Sequence, residues 1–220
     1  YTYVGNSPMM YVDLMGLEKT LIIGFEGRSF NNWMVDKKDY WKSWVWMILA
    51  GLAWSNQNTD TLLYHTNTFN PWSTKESAYN YILENKGKYD KIVLIWHSMW
   101  ADNAVELSNS LKEEWIWIDL LVTIDLQSYW NTTSISNNVK VADNYYQTNF
   151  DSVAFWDTIK PQKGNDVTQI TNIDASYYGD FYEPDPTLNI GLENKRLGHT
   201  EIDSYMAPYI IDRSRRILKN

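Results

Sequence analysis

The chain has 220 residues, 44% of them apolar, a net charge of −8, twelve Trp, sixteen Tyr, three His and no Cys. That apolar share excludes a disordered chain, the length suffices for one α/β domain with a full core, and the acidic balance excludes nucleic acid as a partner. Without cysteine there is no disulfide, thiol nucleophile or zinc-thiolate site, and three histidines leave little for a metal, so neither metal nor cofactor is expected.

Tyr1 to Leu17 holds Gly5-Asn6-Ser7-Pro8, turn chemistry between two short β-prone pieces. The start does not read as a signal peptide, and no apolar run approaches the ~20 residues of a membrane span. Thr20 to Gly27 reads as a buried strand entering a glycine loop, either a plain strand-to-loop turn, which the segment alone favours, or one where Gly24 and Gly27 permit unusual dihedrals and close approach of a ligand. Between Asp36 and Gly51, Tyr40, Trp41, Trp44, Val45, Ile48 and Leu49 recur at helical spacing, with Leu52 just beyond. Thr61 to His65 is a second strand and Asn70-Pro71-Trp72 a turn. Ser73 to Glu76 fits a capping box that opens a helix through Leu83, closed by Gly87.

Lys91 to Ile95 is a short buried strand that breaks at His97-Ser98-Met99. Ala101, Ala104, Val105, Ser108 and Leu111 then resume at helical spacing. This strand, sharp turn and helix set Ser98 at a sheet's carboxyl edge and a helix's amino end, where free N–H groups and the helix dipole favour an oxyanion. Ile116 to Ile124 has the pattern of a central parallel strand and ends at Asp125. Val139 to Tyr146 and Ile170 to Ala175 are further strands, Gln147 to Gln169 is weakly patterned, and Tyr177 to Gly198 is a polar excursion. Ile202 to Leu218 is a closing helix carrying Pro208. Strands alternating with helices predict an α/β class, doubly wound, with a mostly parallel sheet.

A nucleophilic serine needs a base and a carboxylate to orient it. A helix of about 14 residues carries the chain ~21 Å away from Ser98 and a seven-residue strand returns it ~23 Å, which brings Asp125 to the same edge. His199, before the closing helix, can reach that edge too, so the chain order is Ser98, Asp125, His199. Asp143 and Asp157 are rival acids. His97 is a poor base for its neighbour, because adjacent residues at a strand end point to opposite sides. Each member has a plainer reading: Ser98 as a helix cap, Asp125 as a loop cap, His199 as a surface histidine.

Two resemblances bear on function. Tyr3, Val4, Asn6, Pro8, Val12, Asp13, Gly16 and Leu17 fit the segment that closes an RHS/YD-repeat core, with Leu14 where that family usually has Pro. This implies that residues 1–17 are an RHS-core remnant with a cleavage motif and residues 18–220 a separate domain. It also implies a toxin or effector secreted or delivered to a neighbouring cell, with the RHS shell and an immunity protein as partners.

The second resemblance lies in Val93-Leu94-Ile95-x-His97-Ser98-Met99, Leu121 to Asp125, Asn138-Val139-Lys140, Asn144-Tyr145-Tyr146-Gln147 and Gly198-His199-x-x-Ile202-Asp203. These pieces resemble α/β-hydrolases of the lipase/esterase kind. They imply an ester or lipid substrate, Ser98 as nucleophile, Asp125 as orienting acid and His199 as base. Met99 N–H, with an N–H near Phe25, would bind the oxyanion. The competing class is a catalytically inactive interaction domain on the same fold.

The departure is at the elbow, where Trp96 and Trp100 replace the glycines of G-H-S-x-G. Three expectations follow: a wider turn with a displaced serine, a folded but inactive domain, or tryptophans that stand for glycine through a UGA codon read in the wrong code. Trp54, Trp72 and Trp115 also stand where glycine would suit the local structure.

Overall fold

A computed structural model describes residues 18–26, 44–54, 58–65, 71–99, 101–127, 133–149, 157–177, 196–197 and 202–219. The elements are β1 (Thr20–Glu26), α1 (Trp44–Trp54), β2 (Thr59–His65), α2 (Pro71–Glu84), β3 (Lys91–Met99), α3 (Asp102–Glu113) and β4 (Ile118–Gln127). They continue with β5 (Ser134–Ile135), β6 (Val139–Tyr146), β7 (Lys160–Pro161), β8 (Gln169–Asp174) and α4 (Ile202–Lys219). Six strands form one sheet in the order β2-β1-β3-β4-β6-β8. Every pairing within it is parallel. β5 and β7 make a separate small parallel pair.

Side-chain alternation explains the layers. Leu21, Ile23 and Phe25 of β1, with Leu94 and Trp96 of β3, join one buried cluster with α2 (Ala78, Ile82) and α3 (Ala104, Val105, Leu107, Leu111). Ile22, Val93, Ile95, Leu120, Val122 and Ile124 face the opposite way, onto α1 (Val45, Ile48, Leu49, Leu52) and α4 (Ile202, Met206, Ala207, Ile210). A strand buried on both faces must be apolar at odd and even positions alike, hence the continuous runs of β1, β3 and β4. The result is a helix–sheet–helix sandwich, the expected doubly wound parallel class.

Four local expectations need correction. α2 begins at Pro71, not after Ser73. A proline suits the first helical turn, where its missing N–H has no partner to lose. Ser73 is therefore inside the helix, its carbonyl accepting from Ser77 Oγ at 2.7 Å, and Trp72 is helical rather than in a turn. β3 runs on past Ile95 to Met99, and β4 past Ile124 to Gln127. Gly24 lies within β1 and faces a helix, not a ligand: a Cβ there would meet Leu49 Cδ1 and Val45 Cγ1 at 2.8 Å. The missing side chain lets α1 settle on the sheet. The segments 1–17 and 36–43, Gly27, Trp100 and His199 lie outside the described residues.

Candidate active site

The strand order reverses beside β1: the chain leaves β1 for β2 on one side and returns to β3 on the other. In open parallel sheets a ligand crevice forms at such a switch point, at the carboxyl ends of the strands. Ser98 stands there, at the end of β3, and is buried.

The backbone at Ser98 is held at φ 75, a left-handed value that costs a non-glycine residue about 1–2 kcal/mol. The turn closes with Ala101 N–H donating to Ser98 O at 2.9 Å, and α3 starts at Asp102. This is the strand, sharp turn and helix expected from the sequence.

The neighbouring strand is irregular at the same level. His97 pairs with Ile124, but Met99 pairs with Gln127, so Asp125 and Leu126 together oppose Ser98. Asp125 absorbs the extra residue at φ 51. Among the described residues only Ser98, Trp115 and Asp125 have positive φ without being glycine. Two of these three therefore face each other across one bulge at the sheet's carboxyl edge. Bulges re-aim side chains beside active sites, and unusual backbone persists only where the surroundings enforce it.

Asp125 is buried, and its Oδ2 accepts a long hydrogen bond from Gln147 Nε2 at 3.4 Å. Gln147 stands just past β6, within one of the hydrolase-like segments, and that resemblance assigns it no role. Asp143 is removed as a rival acid. It lies in the middle of β6 and is gripped by Arg213 of α4, Nε to Oδ2 at 2.7 Å and Nη2 to Oδ1 at 2.8 Å. Those bonds push the Arg213 guanidinium further up, and burial, with the Asp143 charge next, pushes the Tyr145 phenol up. Asp157 lies in a strap alongside β4 and β6, its N–H donating to Leu126 O at 3.3 Å and its carbonyl accepting from Asn144 Nδ2 at 2.9 Å.

His97 is buried beside the serine, and its Nδ1 lies 3.3 Å from Asp203 Oδ2, in the first turn of α4. Its side chain is thus engaged with α4. His199 falls in the undescribed interval 198–201, whose two flanks are fixed. Leu197 N–H donates to Ser176 O at 2.9 Å and Leu197 O accepts from Asn149 Nδ2 at 3.1 Å, while Asp203 meets His97.

No protein-family model and no curated protein matches the sequence. Among solved structures, a cutinase-like protein from Cryptococcus sp. is similar at 13% identity and a TM-score of 0.45, covering 91% of this chain and 95% of that one. Human thioesterase 2 is similar at 12% identity and a TM-score of 0.35, over 89% of this chain and 97% of that one. Both superpose weakly, and the fold assignment rests on strand order and register.

Of the oxyanion donors expected, Met99 is the last residue of β3, next to the Ser98 turn. Phe25 sits near the end of β1, paired with Tyr64 and Trp96 in register. Its ring stacks on Trp96 at 3.7 Å and on Tyr64 at 5.5 Å between centroids. Trp96 is completely buried, and its Nε1 has no hydrogen-bond partner among the described residues. Among those residues no group of three or more His, Cys, Asp or Glu could hold a metal ion, and no helix is long and apolar enough to cross a membrane.

Proposed function

We propose that the chain is a serine ester hydrolase of the lipase or esterase kind, working through an acyl-enzyme. Ser98 Oγ attacks the ester carbonyl and the proton passes to His199, which later delivers it to the leaving alcohol. Asp125 holds the imidazole in the tautomer that can accept that proton. Met99 N–H and an N–H near Phe25 bind the oxyanion. His199 precedes Asp203 by four residues, so chain length alone keeps its Cα within about 14 Å of that of Asp203.

The observation that carries this reading is the paired positive φ of Ser98 and Asp125 across one bulge at the switch point. A serine used only as a helix cap has no need of a left-handed backbone, because a cap residue has ordinary extended dihedrals. A fluorophosphonate probe is expected to label Ser98, and Ser98→Ala to lower ester hydrolysis by at least about a thousandfold.

A second reading, an inactive interaction domain, is favoured by Trp96, whose indole fills the space beneath the elbow and packs on Phe25. For residues 1–17 the RHS-core reading stands as a proposal, with the RHS shell and an immunity protein as partners and delivery to another cell as the setting. Its test is proteolytic release of a fragment beginning near Glu18 from the longer parent chain.

A further inference from the structure

The geometry points to Asp203 as a positioning residue for the nucleophile, acting through His97; this rests on the reading of Ser98 as the nucleophile. A serine at φ 75 relaxes unless its neighbours hold it. On its carboxyl side the hold is the turn bond from Ala101 N–H to Ser98 O. On its amino side lies His97, with Nδ1 3.3 Å from Asp203 Oδ2 and both side chains only 9% exposed. At this distance the carboxylate faces Nδ1 and restrains the orientation of the ring, and with it the peptide that leads into Ser98.

Asp203 is itself anchored. It sits in the first turn of α4, whose Ile202, Met206, Ala207 and Ile210 are buried against the sheet. Its Oδ1 accepts from Ser204 N–H at 2.7 Å, which leaves Oδ2 directed at His97. A residue more than a hundred positions along the chain from Ser98 thereby ties the closing helix to the elbow. Asp203 touches no reacting atom in this scheme; it acts through the backbone geometry of its partner's neighbour.

The test measures fluorophosphonate labelling of Ser98 and steady-state ester hydrolysis in the full chain carrying Asp203→Ala, Asp203→Asn or His97→Asn. Removal of the acceptor is expected to slow labelling and kcat about 10–100-fold with KM little changed, because a small displacement of a nucleophile has that effect. Asp203→Asn keeps an acceptor, His97→Asn keeps a donor near Nδ1, and both should recover most of the rate. Melting temperatures of Asp203→Ala, His97→Ala and the double variant read the contact without any chemistry, and the two losses should not add. Asp203→Ala that is folded and labels at the wild-type rate overturns the proposal, as does an equal loss in Asp203→Asn. Coupled melting losses in a protein whose wild type never labels remove the nucleophile reading, and the positioning role with it.

A different observation carries a second inference. α3 ends in a complete Schellman motif: Ile116 N–H donates to Leu111 O at 3.1 Å and Trp115 N–H to Lys112 O at 3.0 Å. The residue between Glu114 and Ile116 must then be left-handed, and Trp115 is, at φ 57. Glycine is the residue that adopts this backbone freely, and the Trp115 indole gains little there, being 87% exposed. Trp96 is fully buried with an unpartnered Nε1 among the described residues.

We infer that Trp96 and Trp115 are glycine in the protein as its own cells make it. The codon would be UGA, which some genetic codes read as glycine and others as tryptophan. Peptide mass spectrometry of the protein from those cells, with the codons read from the same cells, decides this. Glycine masses at 96 and 115, with UGA at both, are the expected result; tryptophan masses, or UGG codons at these positions, overturn the inference. In recombinant protein, Trp115→Gly should raise the melting temperature by about 2–4 °C, and no rise would contradict the backbone argument.

Discussion

At the scale of single residues, backbone conformation carries more information than side-chain contact. Ser98 and Asp125 are left-handed at opposite sides of one bulge, and Trp115 is left-handed where a helix stops. The sequence made Ser98 and Asp125 visible because each follows an apolar run that ends abruptly. It could not show Gln147 and Asp203 in their roles, since a partner across 22 or 106 positions leaves no local pattern.

Trp96 supplies a prediction of sign at this scale. If tryptophan is native at 96, Trp96→Gly empties a fully buried site and should cost about 3–5 kcal/mol. If the fold is built for glycine there, the substitution relieves a buried, unpaired indole N–H and lets β3 and α3 close up, so stability holds or rises. Chemical denaturation of the single variant distinguishes the two.

At the scale of elements, periodicity located β1, β2, β6, β8 and α4 well, and the start of β3, because burial on one or both faces imposes it. It missed the start of α2, where a turn-like Asn-Pro-Trp is in fact a proline-opened helix, and the far end of β4, where the bulge breaks the apolar run. It left Gly24 open, since a glycine within a strand looks alike whether a ligand or a helix approaches it.

Helix packing on that glycine is testable. Gly24→Ala would drive a Cβ into Leu49 and Val45, both fully buried and unable to yield, and should destabilise by about 1–3 kcal/mol. Gly51→Ala meets chiefly the end of the partly buried Ile211 side chain, at 2.6 Å from Cδ1, and gains helix propensity. Its thermal unfolding should stay within about 1 kcal/mol of wild type. The clamp between α4 and β6 should be more costly to break. Arg213→Ala strands the buried Asp143 carboxylate, and a loss of about 3–5 kcal/mol in urea unfolding is expected.

At the scale of the molecule, the parallel doubly wound class was legible because strands alternate with helices and parallel strands require crossovers. The strand order was not, since nothing local states that β1 lies between β2 and β3. That order is what gives the serine its setting: it places the elbow at the reversal point, with α1 and α4 on one face and α2 and α3 on the other. The small β5–β7 pair and the strap at 157–159 also lay beyond the sequence. Residues 157–159 are tied down by strand asparagines, with Asn144 Nδ2 donating to Asn172 Oδ1 at 3.0 Å and Ile159 N–H to Asn172 Oδ1 at 2.9 Å. Polar residues of this kind within strands read as edge or loop positions until their partners are seen.

The central claim is that Ser98 is an activated nucleophile. Labelling by a fluorophosphonate, followed by peptide mapping, tests it in the chain as given and in a Trp96→Gly/Trp100→Gly version. The account predicts a single adduct on Ser98, abolished by Ser98→Ala and formed faster once the elbow carries glycine. A folded protein that takes up no probe at Ser98 in either version would contradict it.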